Sequence, residues 1–271
     1  MKPAELFEQT GYALKFGMFS KDEIDITRKA VAIQFAEDEK AGLTRSVRNT
    51  GARYAQGDLL SKKHLRHILL DGRMVQMAKD ILQSEHIVYF GDSTYQIGTG
   101  SRGFHRDCVD RNFNNGPDWQ SPYNIIRMGI YLQDHANYSG GLKIKIGSHN
   151  NASGKSIFID SHAGDVAAWS LKTLHSGNAV RIKGMKGISI DNSSIENRIP
   201  GFLKLDQAEE RMSLFMTFGV AGAHVDRYIH DYMLKRDDVI ANMKVSTYDQ
   251  DALQMAERAG VSVLQPLLQP V

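Results

Sequence analysis

The sequence has one cysteine, Cys108, and six prolines among its 271 residues. A single cysteine excludes an intramolecular disulfide and any zinc site built mainly on thiolates. No apolar run approaches the roughly 20 residues that a membrane helix needs, and the opening MKPAELFEQTGYALKF has no apolar core typical of a signal peptide. We therefore expect a soluble, cytoplasmic protein that does not act at a membrane.

An excess of charge of either sign is also missing. The 33 basic residues nearly balance the 31 acidic ones, which leaves a formal net charge of +2. No polyanionic partner is indicated, and the absence of interleaved aromatic and basic residues disfavours nucleic acid. The 42% of hydrophobic and 24% of charged residues are typical of a globular protein, so disorder and coiled coil are disfavoured.

The first part of the chain is predicted to be mainly helical. Ser20 and Glu23 fit a capping box, and the apolar spacing that follows predicts a helix over residues 22–40. A second helical pattern covers residues 61–82, and Gly72 is expected to divide it into two helices.

From His86 onward the sequence has the pattern of short strands. Runs rich in β-branched and aromatic residues alternate with Gly, Asn, Asp and Ser; they are HIVYFGDSTYQIG, NIIRMGIYL, GGLKIKIG, KSIFID, DVAAWSL, KGISI and RMSLFMTFG. This pattern favours an antiparallel sandwich or barrel over βαβ units. We expect one domain spanning residues 1–271, with a helical layer (1–85), a β core (86–220) and a helical cap (221–271).

Two stretches carry residues that could bind a metal. His105 and Asp107 are two positions apart, so on an extended chain both side chains point to the same side. The stretch GDVAAWSLKTLH predicts a turn and a buried strand, with His175 exposed at its far end. Two imidazoles and one carboxylate form the facial triad of non-haem Fe(II) oxygenases, although a His-x-Asp pair alone is weak evidence.

Four stretches together resemble the phytanoyl-CoA dioxygenase-like family of Fe(II)/2-oxoglutarate oxygenases. They are FEQTGYALKFGMFSKDEI, HRD at 105–107, IYLQDHANYSGGLKIKIGSHN at 130–150 and GDVAAWSLKTLHSGN at 164–178. The resemblance covers most of residues 5–220. It implies a mainly β fold with flanking helices around a double-stranded β-helix, the jelly-roll or cupin-like core.

The resemblance also implies a cofactor and a reaction. His105, Asp107 and His175 would bind Fe(II), with 2-oxoglutarate and O2 as co-substrates. The presence of the Asp107 carboxylate favours hydroxylation or desaturation of an unactivated C–H bond, because the related halogenases replace it. By family habit the substrate would be a small molecule, and succinate and CO2 would be released.

The family further requires an arginine that binds the far carboxylate of 2-oxoglutarate. Arg211 is preferred, because the Arg-x-Ser pair with Ser213 resembles the family's 2-oxoglutarate-binding strand and both side chains would share a face. Arg181 is the alternative. If Arg211 has this role, residues 182–210 form an insertion, expected as a surface loop that could cover the site.

Weaker candidates lie near these residues. Tyr95, Gln96 and Tyr131 are on the strands beside the His-x-Asp segment and could contact 2-oxoglutarate. Arg102 lies just before the His-x-Asp segment, and Arg106 is the middle residue of that segment. If these arginines face the cavity, the substrate is anionic.

Other functions are compatible with the same residues. The two histidines and the aspartate could hold Zn²⁺ for hydrolysis, although this leaves Arg211 and Ser213 without a role. A non-catalytic cupin-like binding module and an oxygenase that acts on a protein side chain are further alternatives. The oligomeric state, monomer or homodimer, stays open.

Overall fold

Two β-sheets face each other at the centre of the structure. The computed structural model describes residues 3–47, 50–100, 103–114, 116–185 and 187–268. In this part of the chain the strands are β1 (Tyr12–Lys15), β2 (Thr44–Ser46), β3 (Arg53–Ala55), β4 (Ile87–Tyr89), β5 (Ser93–Ile97), β6 (Ile125–Tyr131), β7 (Gly141–Lys145), β8 (Ser156–Phe158), β9 (Val166–Ser170), β10 (His175–Ala179), β11 (Met212–Gly219) and β12 (Val261–Val263). The helices are α1 (Pro3–Thr10), α2 (Lys21–Lys40), α3 (Arg66–Leu69), α4 (Gly72–Leu82), α5 (Ser193–Arg198), α6 (Ala223–Asp231), α7 (Asp237–Val245) and α8 (Gln250–Arg258).

The large sheet has the strand order β1-β9-β6-β11-β5-β3-β2. These neighbours are antiparallel, and β11 is central because it pairs with β6 along its whole length and with β5 along its first half. Strand β4 pairs with the end of β11, and β12 adds to β4 in parallel. The sheet is therefore mostly antiparallel, as the run of short strands predicts.

The alternation of side chains along β11 gives the large sheet two different faces. One set packs into the main hydrophobic core beneath the helices: Met212, Leu214, Met216 and Phe218. The intervening positions, which include Ser213 and Phe215, point the other way, towards the small sheet. The outer face is thus apolar and covered by helices, while the inner face is free to carry polar groups.

The small sheet has the order β10-β7-β8 and lies over the inner face of the large one. A second apolar cluster fills the space between the sheets and includes Tyr131, Leu142, Ile144 and Trp169. Next to β10, residue His105 forms an isolated antiparallel bridge with His175. This bridge extends the small sheet by one short segment and brings the His-x-Asp residues to its edge.

The predicted N-terminal helices are present. Ser20 caps α2 with the expected capping box to Glu23. The second helical pattern is divided at Asp71, which caps α4 and precedes Gly72. The layer is not wholly helical, however, because β1, β2 and β3 leave it to join the large sheet. These strands are only three or four residues long, too short for a clear pattern.

The C-terminal helices are also present, and α6 packs against the β core through buried Val225, Tyr228 and Ile229. One predicted strand is wrong: within KGISI, the described residues 187–190 form a turn and extended coil without sheet partners. They belong to the insertion, and Ser189 contacts strand β8 through its side chain, at 2.6 Å from Ser156 Oγ, and not through a backbone ladder. No helix among the described residues has both the length and the apolar character needed to cross a bilayer.

The insertion between β10 and β11 is fixed to the small sheet by a buried ion pair. Lys143 on β7 donates to Glu196 on α5 at 2.9 Å, and both side chains are 1% exposed. Lys143 also donates to the carbonyl of Ile190 at 2.7 Å, and the second Glu196 oxygen accepts from the N–H of Val180 at 2.7 Å. The insertion is thus attached to the core at its centre.

We predict that Glu196→Ala lowers the free energy of unfolding by about 3–5 kcal/mol, because it leaves the buried Lys143 ammonium without a counter-charge. Urea denaturation of the full chain measures this change. The double variant Lys143→Met/Glu196→Leu should recover most of the loss, since an apolar pair needs no charge compensation. A single variant as stable as wild type would show that this ion pair does not anchor the insertion.

Candidate metal centre

The structure brings His105, Asp107 and His175 together at one edge of the small sheet. The N–H of each histidine donates to the carbonyl of the other at 3.0 Å, and the Asp107 N–H donates to the carbonyl of Leu171 at 2.9 Å. These backbone hydrogen bonds hold two distant segments of the chain together. They thereby fix the relative positions of the three side chains. The Nε2 of His105 lies 3.6 Å from Oδ1 of Asp107, and the Nε2 of His175 lies 3.4 Å from Oδ2.

The expectation that His175 is exposed at a strand end is wrong. It is 5% exposed, because it begins β10 inside the sandwich instead of following a strand into solvent. The side chain of Asp107 is similarly buried, whereas that of His105 is 53% exposed. The cluster is therefore open to solvent on the His105 side.

Both imidazole rings are oriented by backbone carbonyls. The Nδ1 of His105 lies 3.0 Å from the carbonyl oxygen of Gly103, and the Nδ1 of His175 lies 3.1 Å from that of Thr173. A carbonyl can only accept, so each Nδ1 carries a hydrogen, and in the neutral ring the lone pair is on Nε2. Metal-binding histidines in proteins are held in this way.

Burial and charge keep Asp107 and His175 in the form that binds a metal. Burial raises the pKa of Asp107, but the charges of Arg127, His175 and His105 outweigh it and lower this pKa to about 2. Burial lowers the pKa of His175 to about 4. At neutral pH Asp107 is thus a carboxylate and His175 a neutral imidazole. Metal binding needs both states.

The three residues fit a divalent transition metal. One possible ligand atom from each lies within 4.8 Å of the others. Among the described residues, these three are the set of His, Cys, Asp or Glu side chains that lie close enough together to hold an ion. Two imidazoles and one carboxylate on one side leave the opposite coordination positions open. This donor set is typical of non-haem Fe(II) sites and also accepts Zn²⁺.

The cluster opens into a cavity of about 260 Å³ between the two sheets. His105 and His175 lie at one end of the cavity and Arg211 contributes to its wall. The remaining lining residues come mainly from the inner faces of both sheets: Tyr54, Thr94, Gln96, Gly100, Arg127, Tyr131, Leu142, Trp169, Gly177, Asn178 and Phe215.

Arg211 is buried in the wall of this cavity, with 1% of the residue exposed. Its Nε donates to the carbonyl of Gly140 at 3.1 Å, and its Nη1 donates to the carbonyl of Gly98 at 3.3 Å. The guanidinium lies over the ring of Tyr131, 5.2 Å from its centroid. Backbone carbonyls and an aromatic ring thus orient the group.

The side chain of Gln96 completes the surroundings of Arg211. With its amide oxygen turned towards the guanidinium, it accepts from Arg211 Nη2 at 3.0 Å and from Ser213 Oγ at 3.1 Å. The Gln96 nitrogen then donates to the hydroxyl of Tyr54 at 2.7 Å. Gln96, Tyr131, Arg211 and Ser213 therefore form one cluster, and Tyr54 joins it.

No carboxylate among the described residues forms an ion pair with Arg211. Burial lowers the pKa of its guanidinium below the usual value, although the group still carries its charge at neutral pH. A buried cation without a counter-ion is costly. An incoming carboxylate would supply that charge, and a guanidinium can bind it bidentately.

Arg181, the alternative arginine, has a partner of its own. Its guanidinium forms an ion pair with Asp160 and lies 4.7 Å from the ring centroid of Phe158. It does not line the cavity that contains His105 and His175. The geometry thus favours Arg211 over Arg181 as the group that binds a carboxylate.

Three other candidates do not reach the cavity or cannot be placed. Tyr95 is on the opposite face of β5, in the main core, and donates to Asp38 at 2.5 Å. Arg106 points away and donates to backbone carbonyls, including those of Lys172 and Ser148 at 2.8 and 3.0 Å, so it braces the loops behind the site. Arg102 lies outside the described residues.

Two residues beside the cluster make contacts that the sequence does not predict. Arg127 donates to Asp107 Oδ2 at 2.7 Å and to Asp92 at 2.6 Å. Arg127 is noticeable only as a charge in a buried strand, and Asp92 resembles any turn residue.

Cys108, next to Asp107, is buried and burial raises the pKa of its thiol to about 12, so it is an unreactive core residue.

Comparison with known proteins gives matches to solved structures only. No protein-family model and no curated protein matches the chain. The non-heme alpha-ketoglutarate-dependent epimerase SnoN from nogalamycin biosynthesis aligns with a TM-score of 0.57 and 15% identity over 81% of both chains. HygX from Streptomyces hygroscopicus, crystallised with nickel and 2-oxoglutarate, aligns with a TM-score of 0.54 and 14% identity over 80% of this chain and 85% of HygX.

A third similar structure is EctD from S. alaskensis, crystallised with 2-oxoglutarate and 5-hydroxyectoine. It has a TM-score of 0.54 and 14% identity over 80% of this chain and 74% of EctD. Alpha-ketoglutarate and 2-oxoglutarate are the same compound, so all three are proteins associated with it. These likenesses confirm the predicted fold, a jelly-roll β core with flanking helices.

We predict that His175→Ala weakens the binding of Ni²⁺ by more than about 100-fold, because loss of even an outer-shell partner can cost 10–100-fold in metal affinity. Isothermal calorimetry on the full chain measures this. His162→Ala is the matched control, since His162 is 63% exposed and distant from the cluster. Equal affinity in both variants would mean that the cluster is not the metal site.

Proposed function

We propose that this protein is an Fe(II)- and 2-oxoglutarate-dependent dioxygenase. It would hydroxylate, or desaturate, an unactivated C–H bond of a small-molecule metabolite and release succinate and CO2. One observation carries the proposal: one cavity is lined by both histidines of the His-Asp-His cluster and by a buried arginine that has no carboxylate partner among the described residues. A co-substrate with a chelating head and a second carboxylate fits both features.

Three residues would hold the metal. His105 and His175 would each supply Nε2, and Asp107 would supply a carboxylate oxygen. When bound, the iron couples the oxidative decarboxylation of 2-oxoglutarate by O2 to the oxidation of the substrate. The protein's own contribution is to leave coordination positions open on the cavity side and to exclude bulk water from them.

A second group of residues would bind the far carboxylate of 2-oxoglutarate. Arg211 is already turned into the cavity by the Gly98 and Gly140 carbonyls. Ser213, two positions along the chain, can add a hydroxyl donor, and Tyr131 lies against the guanidinium. Because these groups are fixed before the ligand arrives, little side-chain entropy is lost on binding.

The size of the cavity supports a small substrate. Its volume of about 260 Å³ is near the lower end of ordinary ligand pockets. Assignment to the phytanoyl-CoA dioxygenase-like family, and hydroxylation in particular, are parts of this proposal that rest on the sequence motifs. Arg106 is occupied by backbone carbonyls, so recognition of an anionic substrate would depend on other groups.

The test is an anaerobic titration of the full chain with Fe(II) and 2-oxoglutarate, in which the chelate gives a weak visible charge-transfer band. We predict that Arg211→Met weakens 2-oxoglutarate affinity by about 10- to 100-fold, the expected range for losing a charge-assisted hydrogen-bond pair. The metal cluster is untouched, so the affinity for Fe(II) alone should stay the same.

Arg181→Met is the matched control, because it removes a buried guanidinium that already has Asp160 as its partner. It should titrate like wild type. If Arg181→Met loses the band and Arg211→Met keeps it, the assigned carboxylate anchor is wrong. If wild type binds the metal but never forms the band, the cluster serves another chemistry, such as metal-assisted hydrolysis.

A further inference from the structure

Arg127, in the middle of β6, joins the proposed metal ligand Asp107 to a second carboxylate. Its Nη1 donates to Asp107 Oδ2 at 2.7 Å and its Nη2 donates to Asp92 Oδ2 at 2.6 Å. The guanidinium also lines the cavity. One cation therefore lies between two carboxylates at the edge of the candidate metal centre.

The position of Arg127 is fixed by groups behind it. Its Nε donates to Thr217 Oγ1 on β11 at 3.2 Å. Asp92 Oδ2 in turn accepts from Thr217 Oγ1 at 2.8 Å and from the hydroxyl of Tyr228 on α6 at 2.9 Å. The central strand and a C-terminal helix thus hold the guanidinium in one orientation.

The two oxygens of Asp107 are not equivalent as a result. Oδ2 accepts the hydrogen bond from Arg127, while Oδ1 has no hydrogen-bond donor among the described residues. The Nε2 of His105 lies 3.6 Å from Oδ1, whereas the Nε2 of His175 lies 3.4 Å from Oδ2, the oxygen that accepts from Arg127. A carboxylate with one oxygen bound to a guanidinium offers the other oxygen to a cation.

Asp92 is a possible competing ligand. It is held by the same guanidinium as Asp107, so the two carboxylates lie within one side chain's reach of each other. Hard divalent cations bind several carboxylate oxygens when these are free. The pairing with Arg127 occupies Asp92 and balances one of the two negative charges.

We propose that Arg127 is a positioning residue of the metal centre. It makes Oδ1 of Asp107 the metal-binding oxygen and prevents Asp92 from becoming a further ligand. Two effects follow: Asp107 binds through one oxygen, and the cavity-side positions stay open for 2-oxoglutarate. The second effect rests on the proposed function, whereas the first concerns metal binding alone.

The first test is a crystal structure of the full chain loaded with Ni²⁺. We expect Asp107 Oδ1 at about 2.1 Å from the metal, a usual metal–carboxylate distance, with Oδ2 still bound to Arg127. Coordination through Oδ2, or through both oxygens, in the wild-type protein would overturn the proposal.

The second test compares Ni²⁺ affinity with 2-oxoglutarate affinity by calorimetry. In Arg127→Met we expect Ni²⁺ to bind at least as tightly as in wild type, because the loss of a neighbouring positive charge and the release of Asp92 as a further ligand offset the lost hydrogen bond to Asp107. The Ni²⁺-loaded variant should bind 2-oxoglutarate about 10-fold or more weakly, the loss expected when about 1.4 kcal/mol of binding free energy is removed. The double variant Arg127→Met/Asp92→Asn should regain most of that 2-oxoglutarate affinity.

A purely structural role for Arg127 gives a different result. Both affinities would then fall together, and Asp92→Asn would not restore either; that outcome contradicts the proposal. Arg66→Met is the matched control, since the Arg66 side chain is 6% exposed and its guanidinium also lies between two carboxylates, Asp249 and Asp251, but does not line the cavity. Both affinities should be unchanged in this control.

Two outcomes, an unfolded variant and a wild-type protein that does not bind 2-oxoglutarate, need a second variant or a second measurement. If Arg127→Met does not fold, Arg127→Lys replaces it, because one ammonium cannot bridge both carboxylates in the way a guanidinium does; the same changes are expected. If wild-type Ni²⁺ protein fails to bind 2-oxoglutarate, the proposed function is contradicted, while the coordination of Asp107 in the crystal still decides the role of Arg127.

Discussion

The candidate site depends on the pair of backbone hydrogen bonds between His105 and His175. These bonds join a loop segment to the first residue of β10, so two imidazoles from distant parts of the sequence lie side by side with ring centroids 4.4 Å apart. The bond from Asp107 N–H to the Leu171 carbonyl continues the attachment and sets the direction of the carboxylate. Without this register the three side chains would belong to separate surfaces.

Two buried arginines of the cavity, Arg127 and Arg211, have opposite electrostatic settings. Asp92 and Asp107 neutralise the first, so it serves internal positioning. The second has carbonyl, amide and aromatic neighbours and, within the described part of the chain, no carboxylate partner, so its charge is available to a ligand. Both side chains project from the inner face of the large sheet. The alternate residues of the same strands point to the opposite face and form the hydrophobic core. In β6 and β11, the residues on one face therefore stabilise the core, and the residues on the other face line the cavity.

Much of the fold could be predicted from local pattern. The capping box at Ser20 and the long runs that became β6, β9 and β11 have strong periodicity, and the metal cluster followed from motif order. Sequence could not reveal the burial of His175, because that depends on a bridge to a segment far along the chain. The choice between Arg181 and Arg211 likewise depended on where Asp160 lies. Such long-range pairings leave no local signal, and short strands such as β2 and β3 have too few residues to show one.

The order of strands in the large sheet also bears on how the protein matures. Strand β11, which pairs with both β5 and β6, is made after every residue of the metal cluster. Non-local pairings of this kind form late, since the entropy of closing long loops must be overcome first. The cavity is therefore incomplete until most of the chain has been synthesised and folded. A metal that binds at this cluster would then enter a folded protein through the side where His105 is exposed.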